Sequence, residues 1–277
     1  MSYRTADSLR VAVLSAVWGL LRADYSDAQL RVIAAFRAPC GVGVDLRRLL
    51  GFISDTRRTL GGAVSPLTLH LDQWCSTFQG DQESRFLVEG CAYGFTWDHT
   101  APPDFYEVPN IVAAEHAAKV DAAIEKMVRN GEVARTSRSA VAGIAPLLVV
   151  DRGNSGFAKI RLVHDLSSPA GASVNDFQTI PKRRFATVSD AMCLLRPRAL
   201  HCKVDISDAY RALPLAPAFW RLHVFQWRGL VYSDLRLPFG SAGAPACFDR
   251  FTQAFTRMVK AHRFAAVGYM DDFWLTP

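Results

Sequence analysis

The chain has 277 residues, 50% of them apolar and 21% charged, with a formal net charge of +6. It is long enough to bury a sizeable core, and its composition is close to the folded average, which argues against a disordered polypeptide. No apolar run reaches the roughly 18 residues of a spanning helix, so no membrane partner is expected and the protein reads as intracellular, cytoplasmic or nuclear.

From Ser8 to about Phe78 the pattern is helical. Polar starts at Ser8, Ser26 and Asp45 precede apolar residues three and four apart, such as Leu30, Ile33 and Phe36, or Leu46, Leu49, Leu50 and Ile53. The stretch Val11 to Leu21 reads as a buried helix rather than a signal-peptide core, because Asp7 precedes it and Arg22 follows with no small-x-small cleavage site. This front part carries no chemical motif. The proline-rich "TAPPDFYEVPN", residues 100 to 110, is the expected linker, dividing a helical segment 1–100 from a second domain, 101–277. Asn110 is the expected N-cap of a long helix running through Ile111, Val120, Ile124, Met127 and Val128 to Gly131.

Beyond Gly131 the period changes. "GIAPLLVV" and "AKIRLVHDL" read as strands joined by the turn-forming "DRGNSG", and "RALHCKVDI" alternates, with Leu200, Cys202, Val204 and Ile206 on one face. "RLHVFQWRGLVYSDLRLPFG" reads as a hairpin turning near Arg228-Gly229. "APACFDRFTQAFTRMVKAH" is helical, with Pro245 in its first turn and Phe248, Phe251, Phe255 and Met258 on one stripe. Two short apolar strands then flank Asp271-Asp272. The order strand, hairpin, helix, hairpin predicts an α+β fold, helices on one face of an antiparallel sheet.

Six cysteines without CxxC or metal-finger spacing read as buried thiols in a reducing compartment, and seven scattered histidines form no HExxH zinc motif. Charge says more. From Arg129 to Arg236 sixteen Lys and Arg face eight Asp and Glu, so the whole positive excess lies in one segment, as expected of a surface that holds a phosphate backbone.

Asp271 and Asp272 are adjacent like charges between Tyr269-Met270 and Phe273-Trp274, and a hairpin turn there would prefer Asn-Gly or Asp-Gly. They repel unless a cation sits between them. Asp205, at the end of the alternating strand, can join them if that strand pairs with the terminal hairpin under the 244–260 helix. Hard carboxylate oxygens suit Mg²⁺, and two such ions about 4 Å apart serve in-line phosphoryl displacement.

These motifs resemble those of reverse transcriptases. "DISDAYRALPL" from Asp205, "LPFGSAGAPACF" at 237 to 248 and "YMDD" at 269 to 272 look like the family's three catalytic motifs, and "KIRLVHDLSSPAGASVND" at 159 to 176 looks like its fingers strand. "RLVHDLSSPAGASVND" most resembles DIRS-like retrotransposons with a tyrosine recombinase, and gypsy-like elements share much of it. The likeness covers about residues 105 to 277 and implies a right-hand polymerase, fingers and palm, acting as an RNA-directed DNA polymerase on a primed RNA or DNA template with deoxynucleoside triphosphates. It implies two Mg²⁺ ions, with Mn²⁺ as a substitute, held by Asp205 and Asp271 with Asp272 tuning the site. Arg161 would clamp the triphosphate, and Arg152 and Lys159 compete for the place of the family's fingers lysine. Asp208 and Ala209 would bring backbone to the triphosphate, and Phe239 and Gly240 would floor the nucleotide. Pro245 and Phe248 would shape the helix behind that floor. Tyr210 would occupy the space of a ribose 2′-hydroxyl and so favour a DNA product. The chain stops five residues after Asp272, so the family's primer-gripping hairpin and thumb are expected to be missing and synthesis is expected only from a longer polypeptide. The alternative is a catalytically silent fragment that at most binds nucleic acid.

Overall fold

The computed structural model describes residues 67, 81–102, 104–151, 160–261 and 263–277. The helical segment expected over residues 8–78, the basic candidates Arg152 and Lys159, and most of the "DRGNSG" turn lie outside the described residues.

Helix α1, Gln82–Tyr93, starts where Asp81 accepts hydrogen bonds from the Glu83 and Ser84 backbone N–H groups at 2.9 and 3.0 Å, satisfying two orphan donors of the first turn. The Ser84 hydroxyl, and after it the Ser84 N–H, hold the Asp81 carboxyl well below the usual carboxylate range, with Arg257 adding to the effect. Strand β1, Tyr106–Glu107, pairs in parallel with β3, Gly143–Ile144, so part of the expected linker is hydrogen-bonded strand. Helix α2 is Ala117–Arg129. The expected N-cap Asn110 lies seven residues before it. Instead the Asn110 amide donates to the Gln226 carbonyl at 2.6 Å and accepts from the Leu147 N–H at 2.9 Å. Two distant backbone partners thus take the side chain that a local reading gives to the helix. At the other end Asn130 is the C-cap, and Gly131 follows at φ 64°, the left-handed position glycine favours.

Strand β2, Val133–Arg135, pairs with β8, Leu230–Asp234, which pairs with β7, Val224–Trp227. The β7–β8 turn is Arg228-Gly229, with φ 46° and 77°, the two positive values of a type I′ hairpin. Arg228 closes onto α2, its Nε and Nη2 donating to the two Asp121 oxygens at 2.6 and 2.7 Å. Strands β4, Leu147–Asp151, and β5, Ile160–His164, form the expected antiparallel pair. The apolar stripe Val120, Ile124 and Met127 of α2 packs with Leu147, Leu162, Phe225 and Tyr232.

Helix α3 is Val188–Met192, and a fourth sheet follows it in sequence. Its strands are β6, Cys202–Asp205; β9, Ala265–Tyr269; and β10, Asp272–Thr276, in the order β6-β10-β9, antiparallel throughout. Between β6 and β7 lie two four-residue helices, α4, Ala209–Ala212, and α5, Pro217–Trp220. Helix α6, Ala244–Ala261, lies across β9 and against α1. At Gly268 the approach is so close that a Cβ would stand 2.5 Å from the Thr252 methyl, so only glycine lets the helix settle on the strand. The largest core joins Leu87, Val88, Cys91 and Phe95 to Leu213, Phe219, Leu237, Phe248 and Phe251. Helix α1 therefore packs into the same core as α6, although it precedes the residue 100 boundary expected from the sequence.

Two expectations are corrected. Cys91 and Cys247 are buried, whereas Cys193 and Cys202 are exposed, because Cys202 lies on β6, all four of whose residues are solvent-exposed. The alternation that identifies β6 as a strand does not bury Cys202 or Val204. Among the described residues no helix is long and apolar enough to cross a membrane.

The core also holds a neutral histidine. His223 is fully buried, its Nδ1 facing the Phe219 carbonyl at 3.1 Å and its Nε2 the Ser241 hydroxyl at 3.3 Å, and burial pushes its pKa down to about 4. The unfolded chain protonates this ring near pH 6.5 and the folded chain only near 4, so the unfolded state binds more protons in between. Stability should therefore fall as pH drops from 6.5 towards 4, by about 3 kcal/mol if the full shift applies. Thermal melts across that window should show this slope, and His223→Gln should flatten it; equal slopes would remove His223 as the cause.

Candidate active site

One cavity of about 790 Å³ gathers residues from four separate parts of the chain. Ile160 and Arg161 come from β5, Asp205 from the end of β6, Ile206 to Tyr210 from the turn into α4, Phe239 from the loop before α6, and Met270 and Asp271 from the β9–β10 turn.

The two carboxylates are set by strand register. Asp272 pairs with both Asp205 and Tyr269, which places the two-residue turn Met270-Asp271 beside the end of β6. Two hydrogen bonds hold that turn from outside. The Ile206 N–H donates to the Asp271 carbonyl at 3.0 Å, and the Thr252 hydroxyl of α6 donates to the Met270 carbonyl at 2.7 Å. They matter because Met270 has φ 53°, a conformation that costs a non-glycine residue about 1–2 kcal/mol. Asp208, on the same cavity, is also left-handed, at φ 50°. Backbone strain of this kind persists only where neighbours over-determine it, and it gathers at functional sites.

Asp205 and Asp271 are exposed and line the cavity. Asp272 does not line it. It faces a neighbouring, mostly apolar cavity of about 440 Å³, where it pairs with Lys203 at 3.0 Å. Asp272, then Asp205 and Asp271, hold the Lys203 ammonium above its ordinary range. Lys203 escaped the sequence reading, though its position two residues before Asp205 puts it on the same strand face. Among the described residues no cluster of three or more His, Cys, Asp or Glu side chains is arranged to hold a metal ion. Three carboxylates line the cavity, and Asp208 pairs with Lys126 at 3.8 Å, which leaves Asp205 and Asp271 as the donors suited to a hard divalent cation that completes its shell with water and substrate phosphates.

The same cavity carries an aromatic wall. Tyr210 stacks on Phe239 with centroids 5.1 Å apart and rings 20° from parallel, and it leans on Phe248 at 5.1 Å. The Arg161 guanidinium lies 4.5 Å over the other partner of this stack, the Phe239 ring. Burial, with the Asp271 charge adding to it, pushes the Tyr210 phenol up to about 12, so the ring stays neutral at any working pH. Ala209 is buried beside Tyr210.

Gly240 lies just behind the wall. At φ 107° a Cβ on it would run into the His164 carbonyl, so the chain there must be glycine for β5 and the loop to touch. The loop itself is held by Asn175, whose amide donates to the Gly240 carbonyl at 2.9 Å and accepts from the Ala242 N–H at 2.9 Å. Gln178 accepts from the Gly243 N–H at 2.8 Å. These bracing residues fall in or just after the segment 159–176, singled out by resemblance, and their partners lie more than sixty positions away.

Compared with known proteins, residues 150–276 match the family model described as reverse transcriptase (RNA-dependent DNA polymerase). No curated protein matches the sequence. Among solved structures the chain resembles the native protease-reverse transcriptase of prototype foamy virus, at 19% identity and a TM-score of 0.51, covering 66% of this chain and 22% of that one. It also resembles the foamy viral protease-reverse transcriptase dRH solved in complex with double-stranded DNA, at 16% identity and a TM-score of 0.51, covering 77% of this chain and 39% of that one. The chain thus spans well under two-thirds of the length of either protein. Residues 150–276 are thus similar in sequence to the reverse transcriptase family, within a chain whose mixed helix-and-sheet fold resembles that of the foamy virus enzymes.

Proposed function

We propose that this chain is the RNA-directed DNA polymerase of a retroelement, DIRS-like or gypsy-like, with β4–β5 as fingers and the β6-β10-β9 sheet under α6 as palm. The observation that carries the reading is the meeting of Asp205 and Asp271 in one cavity with the Arg161, Tyr210 and Phe239 wall. Asp205 and Asp271 are the carboxylates that would hold divalent cations, Mg²⁺ by donor chemistry and Mn²⁺ as a substitute. Such ions, when bound, activate a primer 3′-hydroxyl and neutralise the leaving pyrophosphate.

The remaining roles rest on the chain's own side chains. Arg161 brings positive charge to a cavity otherwise lined by Asp205, Asp208 and Asp271, and its planar guanidinium suits triphosphate oxygens. Lys159 is the basic neighbour assigned to the same phosphates. Asp208 and Ala209 present the main chain beside them. Phe239 floors the base, Gly240 lets that floor sit against β5, and Tyr210 fills the place of a 2′-hydroxyl. Asp272, paired with Lys203, tunes the charge of the hairpin rather than serving as a full ligand.

The test is extension of a DNA primer on an RNA template with deoxynucleotides and Mg²⁺, by this chain and by a polypeptide continuing past residue 277. Chelator-sensitive DNA synthesis is expected from at least the longer polypeptide. If both bind the primed template and neither extends it, the reading reduces to a nucleic-acid-binding module.

A further inference from the structure

Behind the aromatic wall, and outside the cavity, sits a buried charge cluster. Asp234, the last residue of β8, is fully buried, and both of its carboxylate oxygens are engaged. One accepts from Arg211 Nη1, and the other faces His164 Nδ1 at 2.9 Å. The far side of the His164 ring, Nε2, faces the Val224 carbonyl at 2.9 Å, and Arg211 Nε stands 4.0 Å from Glu132. Burial alone would raise the Asp234 carboxyl, but Arg211 and His164 outweigh it and hold it below the ordinary range. A carboxylate so placed is strongly destabilising once either partner is removed, and such clusters are a weak source of net stability.

The addresses of the three residues are what give the cluster a use. His164 ends β5, three residues after Arg161, and its N–H donates to the Phe239 carbonyl at 3.0 Å. Arg211 follows Tyr210 directly in α4. Asp234 opens the segment that runs through Leu235 to Phe239, and its own N–H donates to the His223 carbonyl at 2.8 Å. One carboxylate therefore joins the three pieces of chain that carry Arg161, Tyr210 and Phe239, while none of Asp234, Arg211 and His164 lines the cavity.

We infer that Arg211, Asp234 and His164 are positioning residues that hold the Arg161–Phe239–Tyr210 wall in register and so set how tightly, and how selectively, the nucleotide is held. The inference rests on the polymerase reading for its consequence, but the positioning can be measured without activity. Charge and shape separate the roles: the carboxylates Asp205 and Asp271 belong to the reacting centre, and the cluster acts only through the wall.

Two measurements decide it, both on the 277-residue chain or a longer polypeptide containing it. In the first, the chain is labelled with 3-fluorotyrosine, and the fluorine resonances of Tyr210 and Tyr106 are compared in wild type, Asp234→Asn and Arg211→Lys. The Tyr210 line should shift or broaden in both variants while the Tyr106 line stays. An unmoved Tyr210 line overturns the positioning role whatever the activity. In the second, single-nucleotide primer extension is followed against nucleotide concentration. Asp234→Asn should raise the KM for deoxynucleotides about tenfold with kcat within about threefold, and should narrow the preference over ribonucleotides; Arg211→Lys, which keeps the charge and loses the fork, should fall between. A loss of kcat at unchanged KM and selectivity would mean a merely structural cluster and would overturn the inference. If Asp234→Asn does not fold, Arg211→Lys and His164→Gln carry the same comparison. A wild-type chain that extends no primer sinks the polymerase reading alone, since the fluorine spectra still decide the positioning.

Discussion

Asp205→Asn or Asp271→Asn should each lower Mg²⁺-dependent primer extension by about a thousandfold or more, while circular dichroism and the melting temperature stay close to wild type. Both side chains are exposed at strand ends, so exchanging an oxygen for an amide removes little packing. What it removes is one of the two carboxylates proposed to hold a divalent cation, and an amide is a far poorer ligand for a hard ion. The backbone that sets the pair is untouched, because the Ile206 to Asp271 bond and the β6–β10 register involve main-chain atoms only. Asp272→Asn should cost much less, since that carboxylate is turned to Lys203. Binding of a primed template by the Asp205 variant at wild-type affinity would separate loss of chemistry from loss of substrate. Equal activity in wild type and Asp205→Asn would end the proposal that these carboxylates run the reaction.

Tyr210→Ala should let ribonucleotides compete, narrowing the deoxynucleotide preference by about 10–100-fold in single-turnover incorporation. A pocket that rejects an extra hydroxyl by shape alone yields a factor of that order, and truncating the ring opens that volume. Tyr210→Phe is the control. The phenol stays protonated up to about 12 and the stack on Phe239 needs only the ring, so phenylalanine should preserve selectivity. The alanine variant should also weaken nucleotide binding in general, because Phe239 loses the partner that keeps it parallel beneath Arg161. Unchanged selectivity in the alanine variant would take Tyr210 out of the nucleotide pocket.

Much of this site was legible in the sequence, for reasons that can be named. The Asp205 strand, the Arg228-Gly229 hairpin and the α6 stripe all follow from local periodicity and turn chemistry. Even the odd character of the terminal hairpin showed, as a turn at Asp271-Asp272 lacking the glycine it would prefer, although the register sets the turn one residue earlier, at Met270-Asp271. The structure explains why the turn tolerates this: Thr252 and Ile206 hold its carbonyls from two other elements. A local reading sees the strain and not the restraint.

Tertiary structure decided the rest. Asn110 has the chemistry of a helix cap, but partners 37 and 116 positions away hold it instead. Cys202 and Val204 alternate as a strand should, yet burial depends on what lies over a strand, and they are exposed. The division of Asp271 and Asp272 between two cavities is set by the turn, since Asp271 lies in the two-residue β9–β10 turn, whereas Asp272 is already paired in β10 and turned to Lys203. Nothing local marks His164, Asp234 and Arg211 as one cluster, for they come together only when β5, β8 and α4 pack. By itself the sequence determined many of the described elements and which residues are candidates for the chemistry, because periodicity, turn preference and motif spacing act over a few neighbours. Which carboxylate faces the cavity, what braces its wall and where each buried charge finds a partner required the packed chain, because those are contacts between residues tens of positions apart.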